Sequence, residues 1–222
     1  MMGDKMITNN ELEQEISNLL QQYTAAIKIV ETKLELIDAE LKYKYQHSPI
    51  HGIQSRIKSI SSIKEKLQRK GYLYNINGIK KLNDIAGIRV ICNYINDIQY
   101  IAQLLVLQDD VNLIKHNNYI QYPKTSGYRI LHLIITVPIY QNDGKVLLPV
   151  EIQIRTIAMD CWASLEHELC YKNKNQASDE IKQRLRLCSD MMAETDQELQ
   201  KIYLELNQSW NNYNVSRETL IK

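Results

Sequence analysis

The sequence predicts an α+β domain: a mixed β-sheet of about five strands flanked by helices, with a long helix at each end. Three observations carry this. Residues 128–140 alternate, pass through Asn142-Asp143-Gly144, and resume as Val150-Glu151-Ile152-Gln153-Ile154-Arg155-Thr156, the pattern of two antiparallel strands joined by a hairpin. Ile85-Ala86-Gly87-Ile88-Arg89-Val90-Ile91-Cys92 is an apolar run of the kind found in a buried strand. At both ends, apolar residues recur with a 3.5-residue period, which marks helices with one apolar stripe.

The elements follow in order. Thr8-Asn9-Asn10-Glu11 reads as a capping box opening the first helix, whose stripe is Ile16, Leu20, Tyr23, Ile27, Val30, Leu34, Ile37 and Leu41, ended by Pro49. Residues 53–57 suit a short strand and 59–70 a helix stopped by Gly71; Ser62 with Glu65 also fits an N-cap and capping box. After the run at 85–92, Asn96 or Asp97 caps a helix through Gln108, and residues 111–119 form a weaker strand. Thr156 caps a helix to about Tyr171. Ser178 caps the last one, with Asp179 and Glu180 favourable in its first turn. Its stripe is Ile181, Leu185, Cys188, Met192, Thr195, Leu199, Ile202 and Leu206. The expected division is a helical arm over 1–48, a core over 49–175 and a second arm over 176–222. The matched stripes pack on the chain itself or on further copies of it.

The 222 residues suffice for a core without disulfide or metal support, and 44% hydrophobic with 24% charged is ordinary for a globular protein. A net charge of +1 gives no bulk field for nucleic acid. The four cysteines show no C-x-x-C spacing, the first ten residues hold no apolar signal core, and no apolar run approaches the roughly 20 residues of a membrane span. A soluble cytoplasmic protein with free thiols is expected, and no membrane partner.

Chemistry concentrates in four places. Arg56 and Lys58 alternate on a strand, and Ser62, Lys66, Arg69 and Lys70 follow on the next helix, a set of cations and hydroxyls suited to a polyphosphate. Asp84 stands at the mouth of a buried strand in which Arg89 must find an anion or an aromatic plane. Lys124-Thr125-Ser126-Gly127-Tyr128-Arg129 is a small flexible turn between cations, with a tyrosine ring free for stacking and His132 beyond it. Glu151, Gln153 and Arg155 share one strand face, and Glu151 with Asp84 makes a pair of hard oxygen ligands suited to Mg²⁺. No P-loop, dinucleotide fingerprint, zinc spacing or nucleophile elbow is present.

In this order, these pieces resemble the synthetase domain of the RelA/SpoT homologue family, and most closely its small alarmone synthetases of the RelQ-like group. The matching text is His47-Ser48-Pro49-Ile50, Arg56-Ile57-Lys58, Ser62-Ile63-x-x-Lys66, Asp84-Ile85-Ala86-Gly87, Ser126-Gly127-Tyr128-Arg129, and Val150 to Thr156 running into Ala158-Met159-Asp160-x-Trp162-Ala163, then Glu166-His167 and Tyr171-Lys172. The resemblance implies a nucleotidyltransferase-like core over 49–175. It also implies Mg²⁺-dependent transfer of the β,γ-pyrophosphate of ATP to the 3′-hydroxyl of GDP, GTP or GMP, giving (p)ppGpp and AMP. Carried over, Arg56 and Arg89 sandwich the adenine, while Lys58, Ser62, Lys66 and Arg69 hold the ATP phosphates. Asp84 and Glu151 bind Mg²⁺, and Glu151 also assists deprotonation of the attacking hydroxyl. Tyr128 stacks on guanine, Lys124 and His132 contact acceptor or transferring phosphates, Arg129 joins the guanosine-nucleotide side, and Gln153 supports the acceptor ribose or Glu151.

No His-Asp hydrolase motif is present, so synthesis alone is expected. A homo-oligomer through the terminal helices is implied too, a tetramer being favoured. The chain departs from the subgroup at His51-Gly52-Ile53-Gln54, where an aromatic and a hydroxyl are usual, and at Asp160, which replaces an amide; an added carboxylate repels a polyphosphate effector. The alternative reading is a module that binds a nucleotide or single-stranded RNA in the same basic groove without chemistry. Nothing in the sequence indicates RNA specifically.

Overall fold

The computed structural model describes residues 9–172 and 178–207, without the side chains of residues 9 and 170–172. Thr8 of the expected capping box, the side chains of Cys170, Tyr171 and Lys172, and the end of the second arm lie outside what is described. The elements run α1 (Asn9–Tyr45), β1 (Ile50–Ile57), α2 (Ile60–Lys70), α3 (Ile76–Lys80), β2 (Ala86–Cys92), α4 (Ile95–Val106), β3 (Asn112–Asn118), β4 (Leu131–Gln141), β5 (Gly144–Thr156), α5 (Ile157–Lys172) and α6 (Asp179–Leu206).

One mixed sheet of five strands has the order β1-β2-β5-β4-β3. β2 and β5 pair in parallel at its centre, and every other neighbour is antiparallel. The strand period sends Val150, Ile152 and Ile154 to one face, together with Ile88 and Val90 of β2 and Leu131, Leu133 and Ile135 of β4; all are buried. That face receives α1. Ile16, Leu19, Tyr23, Ile27, Val30, Leu34, Ile37 and Leu41 sink into the same hydrophobic cluster as the strands. The first helix is therefore part of the core and not an arm, because its stripe is the second layer that the sheet needs. It ends at Gln46, in the left-handed region (φ 55°), and Asp38 receives the Ser48 hydroxyl (2.7 Å) and the Ile50 amide (2.9 Å) to turn the chain into β1.

Local signals settle other boundaries. Ser59 caps α2 by accepting from the Ser62 amide, so Ser62 lies one turn inside, and Gly71 (φ 69°) closes the helix. Ser178 caps α6 in the same way. α4 starts from Tyr94 instead of Asn96 or Asp97; Asp97 sits in its first turn and accepts from the Tyr94 amide (3.1 Å). Tyr128 precedes β4 and is not part of it.

α6 docks by an unexpected face. Its buried residues are Ser189, Asp196 and Gln200, whereas Ile181, Leu199, Ile202 and Leu206 of the apolar stripe are exposed. The docked side is polar and specific. Thr156 donates to Asp196 (2.5 Å), Gln200 accepts from the Asn96 amide (2.9 Å), and Tyr203 stacks on Tyr94 with ring centroids 4.2 Å apart. Among the described residues no helix is long and apolar enough to cross a membrane, and Cys92, Cys161 and Cys188 are free.

Candidate active site

The face of the sheet opposite α1 carries the polar residues, and strand register lines them up in two rows. Gln54, Arg89, Gln153, His132 and Asn117 follow one another across all five strands. Beside them run Arg56, Gly87, Glu151 and Ile134. Gly87 has no side chain between Arg56 and Glu151, which leaves a cleft of about 230 Å³ lined by Gln54, Arg56, Gly87, Arg89, Glu151 and Gln153. Residues from distant parts of the sequence thus meet because the parallel β2–β5 pair puts two separate motifs side by side.

On the β1 side, Asp84 lies just before β2 and accepts hydrogen bonds from Lys58 (2.8 Å) and Lys66 on one oxygen. Burial alone would raise its pKa; the two ammonium groups outweigh that and hold it below the usual carboxylate range. Its other oxygen, Oδ1, is buried and meets no described donor. A buried carboxylate oxygen without a donor is of the chemical type that takes a metal ion. Ser62 is half-buried in the first turn of α2, bonded to Ser59, and Arg69 is exposed in its last turn.

Arg89 finds the partners its apolar run demands: Gln54 accepts from it (3.1 Å), and the Asp160 carboxylate of α5 lies 3.4 Å away. Asp160 also stands 3.1 Å from Arg155, which is only 2% exposed. Burial, then the neighbouring Arg89 cation, lowers the pKa of Arg155. Asp160 is thus shared by two arginines and offsets part of their charge.

At the centre, Glu151 accepts from His132 Nε2 (2.8 Å) on one oxygen and from Gln153 Nε2 (3.2 Å) on the other. Asn117 Nδ2 lies 3.3 Å from His132 Nδ1. With that amide as donor, Nδ1 is the acceptor, and the ring proton sits on Nε2 facing Glu151. His132 is therefore tied to the carboxylate, where a phosphate contact was expected, and Gln153 takes the second of its two expected roles. On the β4 side, Lys124 lies between two rings, its Nζ 4.9 Å from the centroid of Tyr119 and 5.1 Å from that of Tyr128. Tyr128 is half-buried, and burial pushes its pKa up.

One assignment is corrected. Arg129 does not face this cleft. Its guanidinium binds α6, donating to Ser189 (2.5 Å) and Asp190 (2.7 Å), and it returns to the Gly127 carbonyl (3.1 Å). The side chain alternates away from Tyr128, so the motif's cation braces the loop from behind. Sequence reasoning passes over Asn117 and Gln54 as site members and gives Arg155 a place on the polar face but no role. Only the alternation of Arg155 with Glu151 and Gln153 signalled any of them.

A mixed sheet whose open face carries arginines, lysines and Asp84 on one side, Glu151 at the centre and a Lys–Tyr loop on the other defines a class: a nucleotide-handling domain for phosphate chemistry. The comparisons specify it. The model of the region found in RelA and SpoT proteins matches residues 55–176. The chain is 38% identical to the GTP pyrophosphokinase YwaC of Bacillus subtilis (strain 168) over 191 residues, 86% of this chain and 91% of that protein. It is 34% identical to GTP pyrophosphokinase YjbM of the same organism over 197 residues, covering 89% and 92%. Among solved structures, the small alarmone synthetase 1 from B. subtilis bound to its product pppGpp superposes with a TM-score of 0.79 at 34% identity, covering 86% of this chain and 98% of that one. The chain belongs to the RelA/SpoT family, among its small alarmone synthetases.

Proposed function

We propose that this protein is a GTP diphosphokinase that makes (p)ppGpp, transferring the β,γ-pyrophosphate of ATP to the 3′-hydroxyl of GDP or GTP, with GMP a further candidate acceptor. The observation that carries this reading is the position of Glu151, between the arginine and lysine half of the face and the loop of Lys124 and Tyr128. A carboxylate there serves a reaction that joins two phosphorylated nucleotides; a groove for RNA alone gains nothing from it, since it repels phosphate.

In this reading Arg56 and Arg89 enclose the adenine, and Lys58, Ser62, Lys66 and Arg69 take the triphosphate. Asp84 and Glu151 would hold Mg²⁺, which when bound neutralises phosphate charge. Lys58 and Lys66 now bond Asp84, and ATP phosphates offer them a second set of acceptors, so the two lysines pass from carboxylate to substrate. Tyr128 stacks the guanine, and Lys124 stands at the acceptor's phosphates. The 3′-oxygen attacks the β-phosphorus, the bond from that phosphorus to the α–β bridging oxygen breaks, AMP leaves, and the hydroxyl proton passes to Glu151. His132 and Gln153 hold that carboxylate in place. Positioning and charge neutralisation supply the catalysis, with no protein nucleophile.

We also propose that the protein works in the cytoplasm and self-associates, a tetramer being the expected form, through the exposed apolar stripe of α6; α1 has no free stripe to contribute. The test is incubation with labelled ATP, Mg²⁺ and GDP, GTP or GMP. A 3′-pyrophosphorylated guanosine product with AMP is expected, lost on chelation and reduced more than about a hundredfold by Glu151→Gln in a folded protein. Absence of product with every acceptor sinks the reading.

A further inference from the structure

The loop that carries Lys124 and Tyr128 has little core of its own. Residues 124–126 are exposed, and the internal bonds tighten only a turn, from the Gly127 amide to the Lys124 carbonyl (2.8 Å) and from the Lys124 amide to the Tyr128 carbonyl (3.2 Å). Behind it, towards α5 and α6, lies an open cavity of about 620 Å³ bordered by Thr125, Ser126, Lys182, Gln183 and Leu185. A loop over a cavity is held by whatever discrete links reach it, since close packing is absent on that side.

Those links come from α6. Arg186 donates to the Thr125 carbonyl (2.9 Å), and Ser189 donates to the Gly127 carbonyl (2.6 Å). Asp190 and Ser189 receive Arg129. The Arg129 guanidinium holds the Asp190 carboxyl below its usual range, first through the direct hydrogen bond. Gly127 seats the loop against the helix. It has φ +94°, and a Cβ there would lie 2.8 Å from that of Ser189, so no other residue fits without moving the helix or the loop. Tyr128 stands between these two tethered neighbours, Gly127 and Arg129.

We propose that Ser189 and Asp190 are positioning residues for the acceptor nucleotide: α6 latches the loop from behind and so fixes the Tyr128 ring and the Lys124 ammonium without touching substrate. This rests on the reading of Tyr128 and Lys124 as the acceptor side. None of the latch's hydrogen bonds goes to Arg56, Lys58, Asp84 or Arg89, so its effect should fall on the acceptor.

The experiment is steady-state kinetics of Asp190→Ala and Ser189→Ala in the full chain, with hydrogen–deuterium exchange of the same proteins. Asp190 is 40% exposed, so alanine there opens no cavity. The expected result is a rise of about tenfold in KM for GDP or GTP, with KM for ATP within about twofold of the parent. Exchange of residues 124–130 should quicken while that of 150–156 stays unchanged. Acceptor KM within twofold of the parent in both variants, or equal rises for the two substrates, overturns the proposal. If the parent protein makes no product, the functional reading fails on its own; the latch is then judged by exchange alone, and unchanged protection over 124–130 overturns it.

Discussion

α1 and α6 carry the same 3.5-residue apolar spacing, and the fold uses them in opposite ways. In α1 the stripe from Ile16 to Leu41 is buried except for Leu20, which is half-buried. In α6 none of the eight stripe residues from Ile181 to Leu206 is fully buried, and the docked face is Ser189, Asp196 and Gln200 with Tyr203 beside them. The difference follows from what each helix meets. α1 lies on the apolar face of the sheet, where every contact removes hydrocarbon from water. α6 meets the polar backbone of a loop, the Thr156 hydroxyl and the start of α4, where hydrogen bonds are the available currency. One helix supplies stability, and the other supplies position.

The largest effect should come from breaking the α1 side. Leu34 is 0% exposed at the centre of the stripe. Leu34→Ala should cost about 2–5 kcal/mol in denaturant unfolding, from lost transfer energy plus a cavity. A cost below about 1 kcal/mol would mean that α1 is loosely docked and that the two end helices do not differ in what they bury.

Next comes the buried polar seam of α6. Asp196→Ala strands the Thr156 hydroxyl and should cost about 1–3 kcal/mol. Burial raises the Asp196 pKa, against the lowering effect of the Thr156 hydrogen bond. A carboxyl raised in the folded state contributes stability that is full below its ordinary value and is lost as pH rises through the raised one. Asp196→Asn cannot ionise and keeps an acceptor for Thr156. Its stability should match the parent below about pH 4, the ordinary carboxylate value, and exceed it increasingly as pH rises from there towards neutrality. A constant gap across that range would show that Asp196 is not the titrating group.

A smaller effect sharpens the α1 side. Tyr23 places the one polar atom of the α1 stripe in the core; its hydroxyl meets no described partner, and burial pushes its pKa up to about 12, helped by nearby Asp84. Tyr23→Phe removes a buried hydroxyl without changing the packing. It should leave stability unchanged or raise it by up to about 1 kcal/mol in thermal unfolding. A clear loss would reveal a partner for that hydroxyl.

How legible this was depends on the kind of signal. Alternation in 150–156 reads directly as a strand face, so Glu151 and Gln153 were placeable from their spacing, and Ser59, Gly71 and Ser178 mark helix ends by local chemistry. Periodicity identifies an apolar stripe but not its neighbour, which is why the two end helices looked alike. α3 is five residues with Gly78 inside and has no period to find. Asn117 reaches His132 only through a register that includes an irregularity between Leu113 and Lys115, a feature set by pairing and not by composition. Arg129 was misassigned because its motif sits beside the acceptor loop, while its true partners, Ser189 and Asp190, lie about sixty residues further on.

The smallest expected effect bears on the exposed half of α6. Leu199 and Ile202 are 48% and 45% exposed, so within one protomer each contributes little burial energy. Leu199→Ser with Ile202→Ser should shift the unfolding free energy of the dissociated protomer by no more than about 0.5 kcal/mol per site. On the proposed self-association through α6, the same pair should dissociate the assembly in sedimentation, because each copy would bury those side chains against another. The two measurements separate the possibilities. Lowered stability at every protein concentration would place the stripe inside the protomer's own fold, and unchanged sedimentation would remove α6 from the interface. Loss of association with an unchanged protomer would show that one heptad pattern has been put to two uses: in α1 to close the core, in α6 to leave a face for a second copy while the opposite side holds the acceptor loop.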